Sequence, residues 1–296
     1  MFQNALQYIC TRAEYINMTT AQKLTLFSLK SSIKIASIFS SQWGASVAFN
    51  IFCTPYRKPR NVAPPIFQQA TCIEIAVEGS AIRGYQWNPN ADKKILILHG
   101  FESRAYNFDR YINPLLEKGY GVVAMDGKAH GNSEGKTTTA PEYAAMIRVL
   151  EEKLGKFDGF ISHSFGGIAL SLYQEDHNDP AAKMVLIAPA TETQSAIDLF
   201  CHFFGLGPSI KASIHAYIKQ KSGKDITHYS INRIAPKLTN PILWIHDKDD
   251  DITPLSDVKP LLNLSPANIE FMITEGLGHR KIYKDPAVIK RIIDFI

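Results

Sequence analysis

Apolar runs of strand length alternate with amphipathic segments of helix length from residue 94 to residue 187. The runs are rich in Val and Ile, whereas the segments between them repeat their apolar positions at the spacing of a helix. We predict strands at 72–77, 81–87, 94–98, 121–125, 159–162 and 184–187, and helices at 106–118, 141–154 and 165–174. The first two strands flank Glu78-Gly79-Ser80 and form a hairpin. The alternation predicts an α/β fold with a mostly parallel central sheet and helices on both faces.

The alternation stops between Ala190 and Pro241, where the chain is far longer than one crossover helix requires. Apolar residues recur there at helical spacing, so we predict a helical insertion at about 190–238 that forms a small cap over the site. Three aromatic residues of the insertion are candidates for an apolar substrate pocket: Phe200, Phe203 and Phe204. The alternative is that these rings pack onto the main domain.

The first 60 residues precede this pattern and form a separate region. They include Ile35–Tyr56, an uncharged stretch long enough in principle to cross a bilayer. Serines, Gln42, Asn50 and Pro55 interrupt it, so we predict amphipathic helices that bury one stripe, not a membrane span. The chain start lacks the basic region and cleavage site of a signal peptide, which favours a cytoplasmic protein. We expect a helical extension at 1–60 and one α/β domain at 61–296.

Charge is modest overall but is unevenly distributed. The chain of 296 residues is 45% hydrophobic and carries a formal net charge of +4. Seven basic residues lie in the first 60 against the single acid Glu14, so the remainder carries a net charge of −2. This excess is confined to a mostly apolar extension, which argues against nucleic-acid binding. Contact of Arg57-Lys58-Pro59-Arg60 with an anionic membrane surface is an alternative, but a solvated linker is favoured.

Several cofactor and metal signatures are missing from the sequence. There is no glycine-rich phosphate loop with its lysine and no G-x-G-x-x-G after the first parallel strand. The four cysteines, Cys10, Cys53, Cys72 and Cys201, are far apart and form no Cys-x-x-Cys pair. We therefore expect no cofactor, no metal site and reduced thiols.

A serine in a strand-to-helix turn is the main chemical signal. The strand that ends near Ile161 leads into Ser162-His163-Ser164-Phe165-Gly166, and a helix follows. Such a turn strains its central residue and exposes the hydroxyl, and small residues two positions away make it possible. Gly166 meets this requirement, and Ser162 stands where a first glycine is usual. We predict that Ser164 is a nucleophile; the alternative is a turn in which a serine only caps the helix.

A base and an acid for this serine follow at the ends of two later strands. Serine needs a base to remove its proton, and a histidine base needs a carboxylate to hold its tautomer. The strand at 269–273 leads into a glycine-flanked loop with His279, which we predict as the base. The strand at 241–246 leads into a loop with four candidate acids: Asp247, Asp249, Asp250 and Asp251. Open α/β sheets place their chemistry at this edge.

These segments resemble the α/β-hydrolase superfamily from about Thr71 to the end of the chain. Leu96 to Phe101 resembles the strand and His-Gly-x turn of that family, and Asp126 to Ser133 resembles its Asp-x-x-Gly-His-Gly-x-Ser loop. The order serine, aspartate, histidine is the chain order of its catalytic triads. The run from His99 to Arg104 is also similar to a subgroup of bacterial hydrolases without well-defined substrates.

The resemblance implies roles for individual residues. In the family pattern Gly-x-x-Asp-x-x-Val-Pro, Asp250 occupies the position of the catalytic acid, and Asp249 is the runner-up. Asp247 stands at the glycine position and Thr253 at the valine position. The backbone N–H groups of Phe101 and Phe165 are the expected oxyanion donors. Four further histidines near the site are expected to orient loops: His99, His130, His163 and His246.

Two functions follow from these residues. The favoured one is a cofactor-independent serine hydrolase that acts on a small-molecule carboxylic ester, with thioesters, lactones and amides as variants. The alternative is a non-catalytic hydrolase-like protein that binds a ligand or partner. The intact set of Ser164, Asp250 and His279 favours the enzyme.

Overall fold

The computed structural model describes residues 19–56 and 62–296. The basic cluster Arg57-Lys58-Pro59-Arg60 and the predicted absence of a signal peptide therefore fall outside the described residues. The chain divides into two compact units. An α/β unit contains residues 62–191 and 231–296, and a helical unit contains residues 19–56 together with Glu192–Ser230.

The α/β unit contains eight strands in one sheet and the helices that flank it. The strands are β1 Thr71–Val77, β2 Ser80–Trp87, β3 Lys94–Leu98, β4 Gly121–Met125, β5 Gly159–His163, β6 Lys183–Ile187, β7 Ile242–Asp247 and β8 Ile269–Thr274. Its α-helices are α3 Asp109–Glu117, α4 Ala140–Leu154, α5 Phe165–His177, α8 Ile231–Ile234, α9 Lys259–Leu264, α10 Gly278–Lys281 and α11 Pro286–Phe295. The helical unit contains α1 Thr20–Phe39, α2 Ser41–Phe52, α6 Thr193–Phe204 and α7 Pro208–Ser222.

The sheet has the order β1-β2-β4-β3-β5-β6-β7-β8. β2 pairs antiparallel with β1 and with β4, and all other neighbours are parallel. The β1–β2 hairpin turns at Glu78 and Gly79, which both have positive φ, 48° and 78°. Two successive positive φ values match the right-handed twist of a hairpin, which explains glycine at the second position. The predicted mostly parallel sheet is confirmed.

Alternating side chains of the central strands build one core on each face of the sheet. Ile95 and Ile97 of β3 belong to a core shared with α3 and α11. Leu96 and Leu98 point the other way, into a core shared with α4 and α5. This arrangement follows from the two-residue period of a strand and explains why β3 is apolar at every position after Lys94. The predicted helices on both faces are also confirmed.

The helical unit has its own core, to which both of its chain segments contribute. Ile33 of α1, Ala48 of α2, Phe200 of α6 and Ile214 of α7 are almost fully buried in it. Ser40 ends α1 and caps α2 by accepting the N–H of Trp43. The sequence predicts an extension and a cap as separate elements, whereas the structure packs residues 19–56 and the insertion into one unit. Among the described helices, none combines the length and the apolar character needed to span a bilayer.

Candidate active site

Ser164 occupies the sharp turn between β5 and α5. Its backbone has φ 53° and ψ −117°, a conformation that residues other than glycine rarely adopt. Hydrogen bonds of both the N–H and the C=O group of Ser164 hold the turn. The Ser164 N–H donates to Ile187 O at 3.0 Å, and Ser164 O accepts from Gly167 N and Ala190 N at 2.9 and 3.0 Å. Strain that neighbouring contacts hold in place is typical of functional positions.

Two glycines make room for this turn. A Cβ on Gly166 would lie 2.7 Å from Leu98 O, which is backbone and cannot give way. A Cβ on Gly100 would lie 3.0 Å from the Cβ of Ser164 itself. Ser162 stands where a first glycine is usual, and its hydroxyl donates to Val185 O at 2.9 Å across the β5–β6 pair.

His279 joins the serine to an aspartate. Its Nε2 lies 3.0 Å from Ser164 Oγ, and its Nδ1 lies 2.8 Å from Asp250 Oδ2. The carboxylate can only accept, so Nδ1–H donates to Asp250 and Nε2 is left as an acceptor for the serine hydroxyl. The structure thus brings together Ser164, His279 and Asp250, the three residues predicted from the sequence. Their arrangement is that of a nucleophile, a base and an orienting acid.

Asp250 is held as an acceptor by a tight turn. Its side chain accepts the N–H groups of Ile252 and Thr253 at 2.9 and 2.8 Å, in addition to His279. Burial raises the pKa of this carboxyl, but the hydrogen bonds to His279 and to these amides outweigh burial and lower its pKa below the usual value. Asp250 therefore stays ionised while it faces the imidazole.

Thr253 is a contact residue that the sequence analysis did not assign to the site. Its hydroxyl lies 2.9 Å from Asp250 Oδ2 and 3.1 Å from His279 Nδ1. The same hydroxyl lies 3.2 Å from Ala188 O. The sequence contains one indication of this role, because Thr253 places a hydroxyl where the family pattern has valine.

The other aspartates of this loop connect it to the loop that carries His279. Asp247 is fully buried and accepts from Asp249 N, Leu277 N and Thr274 Oγ1 at 3.0, 3.1 and 2.6 Å. Burial raises its pKa, but these hydrogen bonds have the larger combined effect and lower it. Asp249 accepts the N–H of Gly276 at 2.9 Å. Asp250, and not Asp249, thus faces the histidine, while Asp247 fixes both loops.

Two histidines of the first loops accept main-chain N–H groups. His99 Nε2 accepts the N–H of Gly127 at 2.9 Å, and its Nδ1–H donates to Gly100 O at 2.7 Å. Burial lowers the pKa of His99 to about 4, so the ring is neutral at pH 7. His130 Nε2 accepts from Glu102 N at 3.0 Å in the same way.

The other two histidines hold the backbone of the acid and base loops. His163 Nε2–H donates to His279 O at 3.0 Å, and burial lowers the pKa of His163 well below its usual value. His246 Nε2–H donates to Thr253 O at 2.6 Å, and burial also lowers its pKa. These contacts agree with the predicted orienting role of all four histidines.

The expected oxyanion donors belong to the two chain segments that meet at Ser164. Phe165 is the first residue of α5, where N–H groups have no partner within the helix. Phe101 follows β3, and its ring meets the ring of Phe165 edge-on at 5.6 Å between centroids. Within residues 19–56 and 62–296, neither main-chain N–H donates to another residue. An oxyanion hole at these amides stays a prediction.

The aromatic residues of the insertion lie in the core of the helical unit. Phe200 and Phe204 are 1% and 2% exposed, and Phe200 meets Phe52 edge-on at 5.5 Å. Phe203 is half-buried against the same cluster. A pocket role for these rings stays a prediction. In the part of the chain that the structure describes, no cluster of three or more His, Cys, Asp or Glu side chains could hold a metal ion.

Comparison with known proteins shows which families and structures the chain is similar to. A family model described as serine aminopeptidase, S33 matches residues 89–230. The chain is 26% identical to the YqkD protein of Bacillus subtilis, over 69% of this chain and 71% of that protein. It is 24% identical to a non-heme chloroperoxidase of Streptomyces lividans, over 72% and 94% of the two chains. The structure of the esterase Pf2001 of Pyrococcus furiosus aligns with a TM-score of 0.60 at 23% identity, over 81% and 98% of the two chains. The chain is therefore similar to this family over residues 89–230, and it shares the fold of the Pf2001 esterase.

Proposed function

We propose that this protein is a serine hydrolase that cleaves carboxylic esters through an acyl-enzyme. The observation that carries the proposal is the hydrogen-bonded series Ser164–His279–Asp250, with the serine held in a strained turn. Each contact has the length that proton transfer between these groups requires. Acyl transfer is the reaction that such a series performs in unrelated folds.

In the first half-reaction, Ser164 Oγ attacks the ester carbonyl carbon while His279 Nε2 takes its proton. The imidazolium that forms is stabilised by Asp250, whose lowered pKa keeps it ionised. The same histidine then returns the proton to the departing alkoxide, so that an alcohol leaves and the acyl group stays on the serine. The proposed oxyanion donors, the N–H groups of Phe101 and Phe165, meet the charge on the carbonyl oxygen, each worth about 3 to 4 kcal/mol of barrier.

In the second half-reaction, water replaces the alcohol. His279 removes a proton from the water, the resulting hydroxide attacks the acyl carbon, and the proton then passes to Ser164 Oγ as the acid leaves. The reaction uses only groups of this chain and water. A fixed Nδ1–H···Asp250 hydrogen bond keeps Nε2 free for both steps.

Esters are the proposed substrate class because of both the chemistry and the relatives. Pf2001 is described as an esterase, and its structure aligns over most of this chain. An ester needs less activation of its leaving group than an amide, so the same residues act on it most readily. Thioesters, lactones and amides are variants that this series of residues also permits, and the family model carries the description of an aminopeptidase.

A non-catalytic binding protein is the competing hypothesis. It would be favoured by a histidine that could not reach the serine. The distance of 3.0 Å between His279 Nε2 and Ser164 Oγ does not favour it.

Hydrolysis of p-nitrophenyl esters of graded acyl length by the purified full chain tests the proposal. We expect turnover by the wild type and a loss of about 10⁴-fold or more in Ser164→Ala, with unchanged circular dichroism. A p-nitroanilide of the same acyl group separates ester from amide preference. Turnover retained by Ser164→Ala would contradict the proposal. A folded wild type without turnover on any of these substrates would favour the binding protein.

A further inference from the structure

The first helix of the helical unit is apolar on two opposite faces. One face, with Leu26, Ile33 and Ala36, is buried in the core of the unit. Helices of globular proteins usually need only one such face, with polar residues opposite. In α1 the opposite face carries large hydrophobic side chains in place of the expected polar ones.

This second face is exposed, and we name its large hydrophobic side chains the apolar stripe, which Ser28 and Ser31 interrupt in the middle of α1. It consists of six side chains, with the exposed fraction of each: Leu24 68%, Phe27 69%, Ile35 53%, Ile38 81%, Phe39 76% and Trp43 52%. Within α1, Leu24 and Ile35, and likewise Phe27 and Ile38, are separated by about three helical turns and therefore project from one side. Trp43, at the start of α2, extends the stripe, with its ring 6.0 Å from the ring of Phe39. Exposed apolar surfaces of this kind mark interaction sites.

The charged side chains that residues 19–56 contribute are all basic. Residues 19–56 contain Lys23, Lys30 and Lys34 and no Asp or Glu. The helical period places the three lysines along one flank of the stripe, where Lys34 is exposed and Lys23 and Lys30 are half-buried. A partner of this surface therefore needs apolar groups next to negative charge. This composition is typical of helices that lie in the interface of an anionic bilayer, with aromatic residues at the level of the headgroups.

A polar cleft adjoins the stripe at Trp43. It has a volume of about 460 Å³ and is lined by Ser40, Gln42, Trp43, Ser46, Tyr217, Gln220 and Lys221. Within the cleft Gln42 donates to Gln220 and Ser46 donates to Tyr217. The Tyr217 hydroxyl, the Gln220 amide and the Lys221 ammonium are suitable donors to phosphate oxygens. Apolar, cationic and hydrogen-bonding groups are thus combined on one surface of the helical unit.

We propose that the apolar stripe docks peripherally on a membrane surface that contains anionic phospholipid. Phe27, Ile38 and Trp43 enter the interface between headgroups and acyl chains, and Lys30 and Lys34 face the lipid phosphates. The interaction does not depend on the proposed catalysis, so Ser164→Ala should bind as the wild type does.

Trp43 provides a direct test in the full chain. The other two tryptophans, Trp87 and Trp244, are 3% and 0% exposed, so a change in emission on vesicle addition reports on Trp43. We expect a blue shift, and co-sedimentation of protein, with vesicles of phosphatidylcholine and phosphatidylglycerol. Pure phosphatidylcholine vesicles should bind at least ten-fold more weakly, and salt should weaken binding to the anionic vesicles.

Variants on the surface decide between lipid and other occupants. The double variant Phe27→Gln with Ile38→Gln should lower binding at least ten-fold, and Lys30→Gln with Lys34→Gln should remove the preference for anionic vesicles. The matched control is Leu264→Gln, which removes an apolar side chain that is 59% exposed in the α/β unit and should leave binding unchanged. No spectral shift with either vesicle, or equal binding by the stripe variant, would overturn the proposal. A concentration-dependent dimer that the same variant abolishes, without vesicle binding, would assign the stripe to a second copy of the chain and also overturn it.

Discussion

In the α/β unit, Asp247 and Asp250 are 0% and 4% exposed and accept hydrogen bonds from several main-chain amides, whereas in the helical unit Ile38 and Phe39 are 81% and 76% exposed. One region buries charge and the other exposes apolar surface. Burying a carboxylate costs free energy unless its oxygens find donors, and the loops after β7 and β8 supply those donors. For the apolar side chains of α1, no comparable compensation exists within the helix itself.

The contrast indicates where each unit is specialised. The buried carboxylates fix two loops relative to one histidine, which is what acid–base chemistry requires. The exposed side chains lie outside the core of the helical unit, and the proposed membrane surface is an external partner for them. Substitutions in one unit should therefore leave the properties of the other unit unchanged.

The largest effect is expected for Asp250→Asn. An amide at this position no longer stabilises the imidazolium and permits the wrong tautomer of His279, so kcat should fall by about 10⁴-fold with little change in KM. Steady-state ester hydrolysis measures this. Asp249→Asn is the matched control, because Asp249 accepts from Gly276 N and not from His279, and it should stay within about ten-fold of the wild type. Equal losses in the two variants would contradict the assignment of the acid.

Two isoleucines on opposite faces of α1 separate folding from docking. Ile33 is 0% exposed, and Ile33→Ala should lower the free energy of unfolding by about 2 to 4 kcal/mol because it leaves a cavity. Ile38→Ala removes a side chain that already lies in solvent and should change that free energy by less than about 0.5 kcal/mol. Urea unfolding compares the two variants. Comparable destabilisation by both would mean that Ile38 packs inside the protein in solution.

Acid should destabilise the α/β unit through its buried histidines. Burial lowers the pKa of His99 from 6.5 to about 4, so the unfolded chain binds a proton that the folded chain does not. This contribution to stability is therefore complete above pH 6.5 and is lost as the pH falls from 6.5 towards 4. We expect His99 alone to account for about 2 kcal/mol of lost stability between pH 7 and pH 4.5.

Unfolding free energies of variants at the two pH values measure this contribution. In His99→Gln the difference between pH 7 and pH 4.5 should shrink by that amount, whatever the absolute stability. His202→Gln, at an exposed position of the helical unit, should retain the full difference. An unchanged difference in His99→Gln would show that the ring is not held neutral by burial.

The smallest effect is expected for Thr253→Val, which removes one hydroxyl and keeps the shape of the side chain. Asp250 and His279 lose a shared contact, so kcat should fall by about ten-fold while KM stays constant. Thr253→Ser should restore most of the rate. A loss in KM alone, or no rescue by serine, would mean that the residue only fills space.

The sequence predicts the α/β unit more closely than the helical unit. Apolar runs give β3 and β4 with their observed bounds, because each strand is buried on both faces, begins at Lys94 or Gly121 and is followed by a polar residue. The turn at Ser164 is predictable because only small neighbours permit it, and Gly166 is visible in the sequence. The distinction between Asp249 and Asp250 is harder, since both are carboxylates in one loop. The choice depends on the turn from Asp250 to Thr253, which directs the carboxylate of Asp250 towards His279.

Other features have no local signal. Asp247 stands where the family pattern has glycine, and its role as an acceptor for the β8 loop depends on Leu277 and Thr274, which follow 27 or more residues later. The partnership of residues 19–56 with the insertion likewise depends on side chains that are distant in sequence, such as Ile33 and Phe200. The apolar residues of α1 are visible in the sequence, but periodicity alone does not show which of its two faces is buried.

The most direct test of the central claim is a fluorophosphonate reaction followed by intact mass. Because Ser164 is proposed to be activated by His279, the folded wild type should gain the mass of one phosphonyl group. Ser164→Ala and the heat-denatured wild type should gain none. A folded wild type without an adduct, or an adduct of equal yield in Ser164→Ala, would contradict the assignment of Ser164 as the nucleophile.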